Sequence, residues 1–255
     1  MTKHFFHSLA GVLLLAAVPA SAARLPESVV FRENGSFQFG ETQFQIQCYS
    51  ENWIGTVNPD WKNLKSKLTP EGLDLTATLN CGAVPAAVTE TVRPLDDNGF
   101  RLTFNAKFDR ETRPNSVHGA LFLPAAGKSS IHLDGKEFPL PAEPDQLIVV
   151  PVTQAREFAY TARNGVTMTV TGEKPLRVMV QDNRKLGSAN TFAVRFSATP
   201  PAGPMRDCRL SLDFRFGTPK SIPVDLVKVA NMGYRDEVAG DGKGGWTDQG
   251  PENDL

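Results

Sequence analysis

From Phe100 to Phe108 the chain reads Phe-Arg-Leu-Thr-Phe-Asn-Ala-Lys-Phe, apolar at every second residue and polar between. Only an extended strand sends alternate side chains to opposite faces, so this segment needs a core on one side and water on the other. The same period of two returns in Leu73-Leu75-Ala77-Leu79, Leu176-Val178-Val180, Phe192-Val194-Phe196 and Leu210-Leu212-Phe214-Phe216. Shorter segments fit the same template: Val29–Arg32, Phe37–Phe39, Phe44–Cys48, His118–Leu123, Ser130–Leu133, Leu147–Val152 and Val166–Val170. A chain built of such pieces is all-β.

Turn residues separate the pieces. Glu33-Asn34-Gly35, Asp96-Asp97-Asn98-Gly99, Asp134-Gly135, Arg163-Asn164-Gly165 and Pro200-Pro201-Ala202-Gly203-Pro204 each sit between two apolar runs. Asn-Gly and Asp-Gly supply the positive φ of tight hairpins, which join antiparallel neighbours. The expected fold is an antiparallel β-sandwich with one short helix, followed by a partial second β module or irregular tail. The helix is placed after Asn58 as its cap, with Pro59 at its first position and Trp61, Leu64 and Leu68 on one face.

The first residues set the compartment. Lys3, an apolar run from Leu9 to Val18 and the small residues Ala20-Ser21-Ala22 before Ala23 form the pattern of a secretory signal peptide over residues 1–23. That run is shorter than the roughly 20 residues a membrane helix needs, and no later segment is apolar enough to span. The expected destination is periplasmic or extracellular. The formal charge of -1 becomes -2 once Lys3 is removed, and no basic run argues for nucleic acid. Export permits disulfides. Of Cys48, Cys81 and Cys208, the favoured pair is Cys48 with Cys81; three buried thiols are the alternative.

Catalytic motifs are scarce. There is no Gly-x-Ser-x-Gly elbow, and only His118 and His132 survive processing, each read as structural or surface. Acids are scattered without a spacing that picks out the carboxylate pair of a glycoside hydrolase. The best recognition surface is CYSENWIGTVNPDW, residues 48–61. There Trp53 and Trp61 offer faces for sugar rings, and Asn52 and Glu51 offer hydrogen bonds to hydroxyls. The alternative for both tryptophans is ordinary core packing. In the glycine-rich segment after Tyr234, Asp241 and Asp248 are candidate ligands for calcium. The segment fits neither the EF-hand spacing nor the Gly-Gly-x-Gly-x-Asp repeat, and no other cofactor is expected.

The string NMGYRDEVAGDGKGGWTDQGPENDL, residues 231–255, resembles the opening of a galactose-binding-like jelly-roll module of large exported bacterial proteins that act on polysaccharides. HGALFLPAAGKSSIHLDGKEFPLP, from His118 to Pro141, resembles the N-terminal β-sandwich of multidomain glycoside hydrolases more distantly. These resemblances imply a sandwich over 24–217, a linker and the start of a jelly roll over 218–255, and further domains beyond Leu255. They imply a non-catalytic accessory or carbohydrate-binding module whose partner is a polysaccharide or oligosaccharide. Two alternatives stay open: a glycosidase or lyase with unidentified carboxylates, and a structural or adhesion domain without a small ligand.

Overall fold

The computed structural model describes residues 23–125, 129–163, 165–187, 189–198, 203–217, 239–240 and 246–247. The signal-peptide segment, most of the segment assigned to the jelly roll, and both Asp241 and Asp248 lie outside the described residues.

Fifteen strands form one antiparallel sheet. In chain order they are β1 (Val29–Phe31), β2 (Phe37–Phe39), β3 (Thr42–Tyr49), β4 (Gly55–Val57) and β5 (Lys62–Thr69). There follow β6 (Gly72–Cys81), β7 (Val84–Asp96), β8 (Gly99–Thr112), β9 (Ser116–Pro124) and β10 (Ser129–Leu133). The last five are β11 (Lys136–Leu140), β12 (Ile148–Thr161), β13 (Thr167–Asp182), β14 (Thr191–Ser197) and β15 (Met205–Phe216). The main path runs β1-β2-β3-β9-β14-β13-β15-β8-β7-β6-β5, with β12, β10 and β11 extending from β13 and β4 from β3. Separately, Ala239–Gly240 pairs with Trp246–Thr247.

The sheet folds over on itself at β13. Thr167–Gly172 forms the part of β13 that pairs with β15, and Val178–Asp182 forms the part that pairs with β14. The two halves of the path therefore meet face to face. Phe37 of β2 lies 5.0 Å from both Phe100 and Phe214, edge to face, and Phe44 of β3 lies 5.3 Å from Phe214. Such aromatic pairs add about 0.5–1.5 kcal/mol each beyond the area they bury. The alternating residues of β8, β6, β14 and β15 named from sequence are buried in this one core.

The hairpin turns obey the backbone chemistry that marked them. At the β10–β11 turn Asp134 and Gly135 have φ of +50° and +78°, the type I′ requirement. In β9 the glycine is there for space. A Cβ at Gly119 would sit 2.6 Å from Phe44 Cζ and 3.2 Å from Leu210 Cδ2. Gly119→Ala is expected to cost about 1–3 kcal/mol through overpacking, measured as a lower urea midpoint; an unchanged midpoint would show that Phe44 moves aside freely.

The helix after Asn58 is corrected. Asn58–Asp60 makes a single 3₁₀ turn, and the chain then enters β5. Trp61 alone of the presumed face is buried; Leu64 is exposed. The side chain of Asn58 does not cap the turn. Its Oδ1 accepts from the Ile46 amide at 2.5 Å and its Nδ2 donates to the Asn34 carbonyl at 2.6 Å, tying β3 to the β1–β2 hairpin. Asp60 Oδ2 accepts the Val57 amide instead. Pairing with β6 overrides the short helical pattern, and β5 protects its outer edge with Lys62, Lys65 and Lys67 and a register shift between Lys62 and Lys65.

Candidate functional site

The half of the sheet formed by β3, β9, β14 and β13 has an outer face that the alternation of each strand assigns residue by residue. Register sets Gln47 opposite His118 and His118 opposite Ser197; the next row sets Gln45 opposite Ala120, Ala120 opposite Arg195, and Arg195 opposite Met179. Ala120 and Ala193 are buried with Phe122 in a small second cluster. Beside them is a cavity of about 310 Å³ whose floor includes His118, Ser197, Arg195, Met179, Gln181 and Arg177.

Two apolar walls flank that floor. Trp53 forms one; Leu147, Ile148 and Val152, at the start of β12, form the other. These four are among only eight exposed large hydrophobic side chains in the described residues, so exposed apolar surface gathers at this one cavity. Trp53 is 52 % exposed. Its backbone has φ of +62°, a conformation a bulky side chain rarely adopts. The turn holds it there: Trp53 N–H donates to the Ser50 carbonyl at 2.9 Å, and Ile54 N–H to Ser50 Oγ at 3.0 Å.

The opposite wall is braced from beneath. Asp182, fully buried, pairs with Arg184 at 2.7 Å, and Arg184 donates to the carbonyls of Pro141 and Ala142. Asp182 N–H donates to the Leu147 carbonyl at 2.8 Å. Register shifts in β12 on either side of Val150 accompany the outward display of Ile148 and Val152.

The floor is polar and ordered. His118 is buried, its ring stacked on Tyr49 with centroids 5.8 Å apart, and its Nε2 lies 3.0 Å from Gln47 Oε1. Burial, then the positive charge of Arg195, holds its pKa well below the usual histidine range. A neutral ring donating through Nε2 leaves Nδ1 as an acceptor, and this buried Nδ1 has no hydrogen-bond partner among the described residues. The Arg195 guanidinium lies 5.6 Å over the Tyr49 ring.

Of the sequence candidates, the structure brings Trp53 to the cavity. Asn52 and Glu51 are exposed on the same turn and do not line it. Trp61 is corrected: 6 % exposed and 6.2 Å from Phe104, it packs in the core and shows no face to a sugar. His118, read as structural or surface, is a buried floor residue. Arg177, Arg195, Met179 and Gln181 went unnoticed, since only strand register brings them together. Among the described residues no three of His, Cys, Asp and Glu gather to hold a metal ion. A disulfide joins Cys48 of β3 to Cys81 of β6, and Cys208 is a buried thiol pushed up to about 12 by burial.

No family model and no curated protein matches the chain. Solved structures give partial likenesses to carbohydrate enzymes. An α-N-acetylgalactosaminidase from Bifidobacterium bifidum, in complex with GalNAc, is 12% identical at a TM-score of 0.46, over 82% of this chain and 38% of that one. An α-galactosidase from Geobacillus stearothermophilus is 12% identical at 0.40, over 69% and 30%. A 4-α-glucanotransferase from Thermococcus litoralis is 10% identical at 0.34, over 60% and 22%. The chain spans well under half the length of each. At these scores the likeness transfers neither an activity nor a ligand.

Proposed function

We propose that residues 24–217 form a non-catalytic glycan-binding module of an exported protein, and that it holds sugar in the cavity beneath Trp53. The observation that carries this reading is Trp53 itself: a half-exposed indole kept in a left-handed backbone conformation beside a cavity with a polar floor. A flat apolar wall suits the face of a pyranose, and hydroxyl-bearing rings find Gln181 and Ser197 beneath it.

The glycosidase alternative asks for two carboxylates across a cleft. Among the described residues no carboxylate lines this cavity. In the cavity beside it the acid is Glu173, which is ion-paired with Arg209. The disulfide suits an oxidising compartment.

Trp53→Gly tests the reading with two readouts. Glycine accepts a φ of +62° freely, so the variant is expected to unfold at the same or a higher temperature than the parent. Its glycan affinity, by array screening and then calorimetry, is expected to fall about tenfold or more, the scale of losing one aromatic anchor. Retained binding would remove Trp53 from the site; binding lost together with a collapsed melting temperature would make Trp53 structural.

A further inference from the structure

We infer that the glycan held beneath Trp53 carries methyl groups, those of a 6-deoxy sugar or of an acetyl substituent, and that Ile148 and Val152 select them; this rests on the glycan-binding reading above. The two walls of the cavity differ in chemistry. Trp53 offers a flat indole, whereas Leu147, Ile148 and Val152 offer branched aliphatic chains, each at 36 % exposure or more. β9, β14 and β13 lie between β3, whose turn into β4 carries Trp53, and β12. The walls therefore stand at opposite ends of the floor and meet different parts of a bound chain.

At the β12 end a sugar hydroxyl is badly served. The wall's side chains have no hydrogen-bonding atom, and the Leu147 carbonyl already accepts from the Asp182 amide at 2.8 Å. Ile148 and Val150 are paired with Gln181 and Val180 of β13. A hydroxyl pressed against this wall gives up water without a replacement, while a methyl gains by leaving water. Met179 carries the apolar surface onto the floor, between the inward Val178 and Val180, and its flexible thioether can adapt to a substituent. The wall also needs no ligand to form. Asp182 and Arg184, tied to the Pro141 and Ala142 carbonyls, hold its base in place, so contact with it orders little that was free. A flat face at one end and a dry, branched one at the other fit a chain whose second or third sugar replaces a hydroxyl by a methyl-bearing group.

Titration of the purified protein, followed by NMR, with matched trisaccharides tests this: β-1,4-linked glucose, 6-deoxyglucose and N-acetylglucosamine, and the same three substitutions on an α-1,4-linked galactose backbone. In at least one series a methyl-bearing probe is expected to bind about five- to tenfold tighter than its hydroxyl parent, from the methyl buried and the hydroxyl no longer stripped of water. Deoxy over acetyl, or the reverse, identifies the source of the methyl. In the double variant Ile148→Thr and Val152→Thr, which keeps β-branched side chains at two exposed positions but adds hydroxyls, the preference is expected to shrink to about twofold or less. Leu64→Thr, on β5 and away from the cavity, is expected to keep it. Equal binding of parent and methyl-bearing probes, a preference intact in the double variant, or one lost equally in Leu64→Thr would overturn the inference. If parent probes bind as tightly as the others and Trp53→Gly abolishes that binding, the glycan site stands without it. If no trisaccharide of either series binds, both readings fall.

Discussion

Replacing Cys48 and Cys81 together by serine is expected to cost about 3–4 kcal/mol of folding stability, from the loop-closure entropy of the 33-residue separation. β3 and β6 lie on opposite halves of the folded sheet, seven strands apart along its path, yet the two Cα atoms are 6.0 Å apart. The path never closes by backbone pairing between those halves, so the disulfide clasps the open side of the sandwich. Beside it Thr56 Oγ1 of β4 donates to the Asn80 carbonyl of β6 at 2.5 Å. At a denaturant slope of about 2 kcal/mol/M, the urea midpoint should fall by about 1.5–2 M on mutation or on reduction. Cys208→Ser, which alters a buried thiol outside the bridge, should leave the response to reductant intact. A midpoint indifferent to reductant would mean that the two halves are held by the core alone.

How much of this was legible in the sequence depended on whether one residue's environment could be inferred from its neighbours. Phe100, Leu102, Phe104, Ala106 and Phe108 declared themselves, because an alternating run buries its apolar face whatever it pairs with. β7 did not. Pro85 and Pro94 interrupt it, and its inward positions Ala86, Val88 and Val92 are broken by Glu90, so a 13-residue central strand passed for connecting chain. Trp61, Leu64 and Leu68 show the opposite failure, a helical spacing arising by chance on an edge strand. The site was less legible still. Trp53 stood out as an aromatic in a turn, but its partners come from residues 116–118, 147–152, 177–181 and 195–197. A signal was present in the outward positions of strands otherwise plain: Arg177 and Met179 between Leu176, Val178 and Val180, and Arg195 between Val194 and Phe196. What no spacing along one strand could supply was the lateral register that sets them side by side.

Glu90→Gln is expected to stabilise the protein by an amount that grows with pH. Glu90 is wholly buried, and neither carboxylate oxygen has a hydrogen-bond partner among the described residues. Burial therefore raises its pKa well above the ordinary value of 4.5. Below that value the carboxyl is protonated both folded and unfolded and contributes no pH dependence. Above it the unfolded chain gives up the proton first, the folded state binds more protons, and stability falls as pH rises toward the folded-state titration. Glutamine keeps the shape and removes the titration. The difference between variant and parent should be small near pH 4 and widen by up to about 1.4 kcal/mol per pH unit above it. His118 acts at the other end of the range: its depressed pKa makes the fold lose stability as pH falls below the usual histidine value of 6.5. Since both proteins contain His118, its effect cancels in the difference. The place to watch is the β1–β2 hairpin, where a Cβ on Gly35, at φ of +90°, would collide with the Glu90 carboxylate. Opening that turn would admit water to a charged Glu90 and release the Asn34 carbonyl from Asn58, whose other bond holds the Ile46 amide in β3. Urea titrations of parent and variant from pH 4 to 8, with amide exchange at Ser36 and Ile46, should show the parent's hairpin exchanging faster as pH rises, beyond the intrinsic increase seen in the variant. A stability difference independent of pH would mean that Glu90 titrates in the fold as it does in the unfolded chain, its charge compensated there.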